Sequence, residues 1–295
     1  MAFAAQTAYL ILMPQAQAIT TESTAMDEKG GRLTRDGIRI HEIAEFEGMR
    51  VAGKLAAEIL DACIPLVKPG ATTGEIDAEI ERMVNDAGAK SATIGYKGYK
   101  HASCISVNHV VCHGIPGAKK LKDGDILNID VTVIVDGWFG DSSRMYVAGK
   151  LARRSERLIE VTHEALMRGI AAVKPGNTFG DIGHAIQSFV ESHRMSVVRD
   201  FCGHGLGRVF HAPPNVLHYG RPGTGPTLEQ GMIFTIEPMV NLGRAETKVL
   251  ADDWTAVTRD KSLSAQYEHS VGVTADGVEI FTLSPAGRFH PTYEV

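Results

Sequence analysis

The chain has only four cysteines in 295 residues, Cys63, Cys104, Cys112 and Cys202, and no C-x-x-C pair among them. That spacing argues against a zinc knuckle, and thiols so few and scattered fit a reducing compartment better than a disulfide framework. Basic residues are missing from the start, the first being Lys29. A secretory signal places Lys or Arg ahead of its apolar core, and a mitochondrial presequence is Arg-rich. The Ala-rich segment 1–18 has neither feature, although Ala16-Gln17-Ala18 has the small-residue form of a cleavage site. Beyond it, no run approaches the ~20 apolar residues that a bilayer span needs. An excess of positive charge is also absent: the net charge is −5, which argues against a nucleic-acid-binding face. What is present is an apolar fraction of 44% and a charged fraction of 22%, the balance of a soluble globular protein with ample core. Residues 1 to about 37 read as an extension outside the fold, leaving 38–295 as one domain of a cytoplasmic protein.

The stretch Asp123–Asp141 organises that domain. Leu127, Ile129, Val131, Val133 and Val135 are apolar, and Asn128, Asp130 and Thr132 alternate with them, which is the period of a strand with one apolar face. Asp136-Gly137 is the dipeptide favoured by a type I′ hairpin turn. A two-residue turn there pairs 135 with 138, 132 with 141 and 130 with 143. Asp130 and Asp141 then share one face on diagonal positions, where two carboxylates repel each other unless a cation lies between them.

The chain also repeats itself. Val67-Lys68-Pro69-Gly70-Ala71-Thr72-Thr73-Gly74-Glu75-Ile76 returns as Val173-Lys174-Pro175-Gly176-Asn177-Thr178-Phe179-Gly180-Asp181-Ile182, an offset of 106. Leu121–Asp130 returns as Leu228–Glu237 at an offset of 107, so that Glu237 corresponds to Asp130. In the first copy a helix marked by Ala52, Leu55, Ala56, Ile59, Leu60 and Cys63 precedes the motif. Thr72 and Thr178 are candidate N-caps for the helices that follow it. Two matches at nearly one offset predict two related halves about a pseudo-two-fold axis, each helix–helix–strands. The fold class is α+β, a largely antiparallel sheet with helices on its outer face.

Four carboxylates and one imidazole are then candidate metal ligands. Glu237 ends an apolar strand before Pro238, and Glu268 alternates with Gln266 and Ser270 against Tyr267, His269 and Val271. His204 is flanked by Gly203 and Gly205, which let backbone and ligand approach closely. His113, followed by Gly114, and His211, after Phe210, are further candidates, whereas His41, His163, His184 and His193 read as surface residues. Asp130, Asp141, Glu237 and Glu268 carry four negative charges, which two divalent ions would neutralise. With one nitrogen and no thiolate, the set suits Mn, Fe or Co and allows Zn. Two such ions acidify a shared water and stabilise an oxyanion, the chemistry of amide, ester or phosphoester hydrolysis.

Six segments, His113-Gly114-Ile115-Pro116, Asn128–Thr132, Gly140–Ser143, Gly203–Arg208, Ile236–Met239 and Gln266–His269, resemble in order the motifs of the type I methionine aminopeptidases. The resemblance runs from about residue 38 to 285. It implies the internally duplicated "pita-bread" fold and removal of the initiator methionine from nascent chains with a small second residue. Asp130, Asp141, His204, Glu237 and Glu268 would hold two divalent metals (Co, Mn, Fe or Zn), with Glu237 also handling protons. His113 and His211 would position substrate and stabilise the transition state. Tyr96, Tyr99, Cys104, Phe210 and Trp254 would line the methionine pocket, and Asn108, Val110 and Ser264 would hold a monovalent cation, Na or K. The implied partners are nascent polypeptide N-termini and, transiently, the ribosome exit region, with no nucleic-acid or membrane partner and a monomeric state.

This chain departs from the pattern at Thr93, where several bacterial relatives have Cys, and at Phe139, where a His is common. Prolidases and aminopeptidases P share the fold and ligand set, but carry a substantial preceding domain that about 37 residues cannot supply. A type II enzyme needs a helical insertion, for which the 33 positions between His204 and Glu237 leave no room. A metal-free binding homologue would lack ligands, and all five are present.

Overall fold

The computed structural model describes residues 32–293. In chain order the first half comprises β1 (Arg32–Leu33), β2 (Arg39–Ile40), α1 (Phe46–Ala62), α2 (Thr73–Asp86), β3 (Lys90–Ser91), β4 (Cys104–Val107), β5 (Val110–Cys112), β6 (Ile126–Val135) and β7 (Trp138–Val147). The second half opens with α3 (Arg153–Ala171), α4 (Phe179–Ser192), β8 (Ser196–Val197), β9 (Gly203–Gly205), β10 (Ala212–Val216) and β11 (Ile233–Ile236). It closes with β12 (Met239–Asn241), β13 (Thr247–Val249), β14 (Ala256–Thr258), β15 (Ser264–Gln266), β16 (His269–Val273) and β17 (Val278–Ile280). The strand pairings are antiparallel and the fold is α+β.

The β6–β7 hairpin has the expected register, with Val135 opposite Trp138, Thr132 opposite Asp141 and Asp130 opposite Ser143. Asp136 and Gly137 both have positive φ, 49° and 79°, as a type I′ turn requires. Leu127, Ile129, Val131 and Val133 are buried with Ile59 and Leu60 of α1 and Ile76 and Ile80 of α2. Gly140 lets α1 come close: a Cβ there would run into the Ala52 carbonyl. The polar face is enclosed as well. Asn128 and Thr132 are both buried, because the second half closes over them; the Asn128 amide donates to the Gln266 carbonyl at 2.8 Å.

Hydrogen bonding repeats where the sequence does. Gly70 N–H donates to the Leu121 carbonyl and Gly176 N–H to that of Leu228; Gly74 donates to Gly117 and Gly180 to Thr224. Ser91 pairs with Val133 in one half and Val197 with Val240 in the other. Thr72 and Thr178 both cap, receiving the carboxylates of Glu75 and Asp181 on their N–H groups at 2.7 Å. The halves meet where Ser143 of β7 and Glu268, between β15 and β16, form an antiparallel bridge.

Three expectations need correction. Residues 32–37 belong to the fold, since β1 pairs with β2 and Arg32 reaches Glu229 at 2.8 Å; the remainder of the extension lies outside the described residues. The Gln266–Val271 stretch is not one strand: β15 pairs with β12 and β16 with β11, and Glu268 falls in the break between them. His41 is not a surface residue, and His163 is only partly exposed. His41 is 4% exposed, its N–H bound to the Gly231 carbonyl, and His163 packs against Tyr267, 5.2 Å between ring centroids.

Burial, and the nearby His290, lower the His163 pKa from 6.5 to about 4. The unfolded chain therefore binds more protons between these values, and stability falls as pH drops through the window. Relative to His163→Gln, the unsubstituted protein should lose about 1–2 kcal/mol more between pH 7 and pH 5. Urea unfolding at the two pH values measures this.

Candidate metal centre

The five expected ligands come from both halves. Thr132 Oγ1 donates to Asp141 Oδ1 at 2.7 Å, so Asp141 lies on the Thr132 face of β6, which is also the Asp130 face. His204 arrives on β9, and a Cβ at Gly203 or Gly205 would strike the carbonyls of Thr235 or Pro213. Glu237 follows β11, where Thr235 Oγ1 donates to one of its oxygens at 2.9 Å and Gln266 Nε2 to the other at 3.3 Å. Its backbone N–H donates to His218 Nε2 at 3.0 Å. Glu268 is held by its N–H to the Ser143 carbonyl and by Ser142 Oγ, which donates to its own carbonyl.

These side chains converge. Asp141, His204 and Glu268 are buried, and each offers a donor atom within 4.8 Å of the others. His204 Nε2 lies 3.5 Å from Asp141 Oδ2 and 3.7 Å from Glu237 Oε1. Burial, then the charges of Asp141 and Glu237, drive the Asp130 pKa well up, and burial with the neighbouring acids does the same to Glu268. Glu237 is pushed up to about 7, by burial first and Asp141 further on, against the pull of His204. Burial opposes charge on His204, but the hydrogen bond to Asp141 and the Glu237 charge outweigh it and raise its pKa. One imidazole cannot balance four carboxylates. An oxygen-rich set without thiolate, crowded enough to disfavour its own ionisation, fits hard or borderline divalent cations.

Histidines and aromatic rings lie beside the carboxylates. His211 Nδ1 is 2.8 Å from the Tyr96 hydroxyl, and its ring is 4.3 Å from that of His204. His113 lies between Phe201 (5.5 Å) and Trp254 (6.2 Å). Both histidines have positive φ, 55° and 59°, a strained backbone of the kind found at functional sites. Desolvation beside the rings, with repulsion from His204, lowers the His113 pKa to about 4, and the same causes lower that of the more exposed His211. Tyr99 stacks obliquely on Trp254 at 4.8 Å, and Tyr96 packs edge-on against Phe210 at 4.9 Å. Cys104 is buried opposite Asp130 in the β4–β6 register. The departure at Phe139 has a structural consequence: its ring stacks on Phe210, 5.5 Å apart and 9° from parallel.

Asn108, Val110 and Ser264 lie together at one end of β6. The Asn108 carbonyl accepts from Ser264 N–H at 2.9 Å, and Asn108 Oδ1 accepts from Ile126 N–H at 3.1 Å. Ser264 Oγ is buried without a partner. Sequence reasoning missed Phe201 and His218, neither of which has a motif around it. Gln266 had a signal, since it alternates with Glu268 on one face.

Residues 47–275 match metallopeptidase family M24. The methionine aminopeptidase of Rickettsia prowazekii is 56% identical over 257 residues, 87% of this chain and 99% of that protein. That of Escherichia coli K12 is 54% identical over 248 residues, 83% of this chain and 94% of its own length. The crystal structure of the Rickettsia enzyme superposes with a TM-score of 0.83, covering 83% of this chain and 100% of that one. The prolidase of Pyrococcus horikoshii, 20% identical, shares the fold at a TM-score of 0.65, covering 82% of this chain and 63% of the prolidase. The family match spans most of the described residues, both halves of the duplication included, and the chain belongs to metallopeptidase family M24.

Proposed function

We propose that this protein removes the N-terminal methionine from nascent chains whose second residue is small, by dinuclear-metal-assisted hydrolysis. The observation that carries the reading is the convergence of four carboxylates and His204 beside an aromatic recess. Relatives at 54–56% identity named methionine aminopeptidase support it. Asp130, Asp141, His204, Glu237 and Glu268 are the residues that would hold two divalent ions, Co, Mn, Fe or Zn. Such ions, when bound, supply Lewis acidity toward the scissile carbonyl and acidify a water.

The chain's own groups do the rest. Glu237, half-buried and fixed by Thr235 and Gln266, is placed to take a proton and pass it to the leaving amine. His113 and His211 are neutral at physiological pH and act as hydrogen-bonding groups toward the substrate carbonyl. The Tyr96 contact occupies Nδ1 of His211 and leaves Nε2 for that purpose. Tyr96, Tyr99, Cys104, Phe210 and Trp254 form an apolar receptacle for an unbranched thioether, which aromatic rings favour. The unpartnered Ser264 hydroxyl, with the Asn108 and Val110 backbone, supports a structural monovalent cation, Na or K.

The reading includes one catalytic domain, residues 38–295, with the β1 residues Arg32 and Leu33 joined to it through β2. It also includes a monomeric, cytoplasmic protein that meets nascent N-termini in transient contact with the ribosome. Among the described residues no helix is long and apolar enough to cross a membrane.

With Mn²⁺ or Co²⁺, the protein should cleave Met-Ala-Ser and spare its Leu-first counterpart; the double variant Asp130→Ala/Glu237→Ala should lose about 10³-fold or more in kcat/KM. Activity surviving in that variant would sink the mechanism. Metal should also bind at about two ions per chain by calorimetry, and at 100 Kd stabilise by about 2.7 kcal/mol per site. Glu268→Gln should separate charge from metal. An acid whose folded pKa is raised costs stability above its unfolded value, so at pH 7.5 the metal-free variant should melt above the unsubstituted protein. Its response to Mn²⁺ should be largely lost.

A further inference from the structure

The wall of the proposed methionine pocket hangs from one buried carboxylate that takes no part in the metal centre. Residues 92–103, between β3 and β4, carry Tyr96 and Tyr99 and lead directly into Cys104. The equivalent connection in the second half, 198–202 between β8 and β9, is far shorter. Long connections without regular structure are loose unless something ties them down. The start of this one is held by Ala92 N–H on the Thr132 carbonyl and Thr93 Oγ1 on that of His101, and its end, which leads into Cys104, is tied by Asp77 on α2, 5% exposed. Its Oδ1 accepts from Ser103 N–H at 2.9 Å and from Ser103 Oγ at 2.7 Å, and its Oδ2 lies 3.0 Å from His101 Nδ1. Ser103 passes the constraint on, because its carbonyl receives the Tyr99 hydroxyl at 2.9 Å. Tyr99 in turn stacks on Trp254 at 4.8 Å.

The duplication separates scaffold from acquisition. Asp77 corresponds to Gly183 in the repeat, where a Cβ would strike the Tyr219 carbonyl. The shared fold therefore does not need a carboxylate at this place on the helix. It appears only in the half whose following loop forms the pocket. We infer that Asp77 is a positioning residue for substrate selection, holding the Tyr99–Cys104 wall through Ser103 and His101 without touching substrate. The inference rests on the methionine-pocket reading above.

The roles separate kinetically. A group that shapes a side-chain pocket acts on KM and on side-chain preference, whereas one that merely supports the fold acts on melting temperature. Metal-loaded protein, Asp77→Ala, Asp77→Asn and Ser103→Ala are compared on Met-Ala-Ser and its norleucine-first and leucine-first counterparts, with thermal melts alongside. Hydrogen bonds to a charged group of this kind make a KM rise of about tenfold the expected result for Asp77→Ala, with kcat within about threefold. Preference for methionine should fall by about the same factor. Ser103→Ala should shift both in the same direction by less. Asp77→Asn, which keeps an oxygen for Ser103, should recover most of the effect. If Asp77→Ala does not fold, Ser103→Ala and Asp77→Asn still decide. Folded variants with unchanged KM and unchanged preference, or with kcat alone reduced, overturn the inference. Failure of the unsubstituted protein to cleave any of the peptides overturns the methionine reading as well.

Discussion

Four carboxylates enclosed with a single histidine are the constraint on which the rest of this structure depends. Asp130, Asp141, Glu237 and Glu268 repel one another in surroundings that poorly screen charge, and burial and proximity together push several of their pKa values up. Nothing in a hydrophobic core calls for such an arrangement. Two of the side chains are gripped from behind, Asp141 by Thr132 and Glu237 by Thr235 and Gln266, and the Glu268 backbone is pinned by Ser142 and Ser143. Two apolar cores, one under each half, press the strands together across the polar seam.

Duplication supplies this seam economically. Equivalent segments bring Asp130 and Glu237 to one centre, and the bridge between Ser143 and Glu268 ties β7 to the β15–β16 junction. The halves then diverge where chemistry differs. One has a long loop with two tyrosines, anchored by Asp77; the other has a short link into the glycine-flanked His204, with Gly183 at the position of the anchor. Symmetry accounts for the metal centre, and its breaking accounts for the pocket on one side.

Much of this was legible in the residues. Alternation in β6 with an Asp-Gly turn determines the hairpin register, because period and turn geometry are local properties. The repeat predicted the paired helices and their threonine caps, again from local chemistry. Enclosure was not legible: the polar face of β6 looks solvent-facing until the second half is placed over it. The same long-range packing buries His41 and half-covers His163, and it breaks the strand at Glu268. Phe201 and His218 reach the site through tertiary contacts between segments with no pattern of their own. Asp77 carries no signal in the sequence, because its partners lie 24 and 26 positions away, across a loop.

The central claim is that the seam between the halves binds a pair of cations. Anomalous diffraction from crystals grown with Mn²⁺ tests it most directly. Two manganese peaks are expected between β6–β7 and β11–β16, each within about 2.0–2.6 Å of oxygens from Asp130, Asp141, Glu237 or Glu268, one also bound by His204. A saturated crystal with no peak among these residues, or with manganese only elsewhere on the chain, would contradict the account.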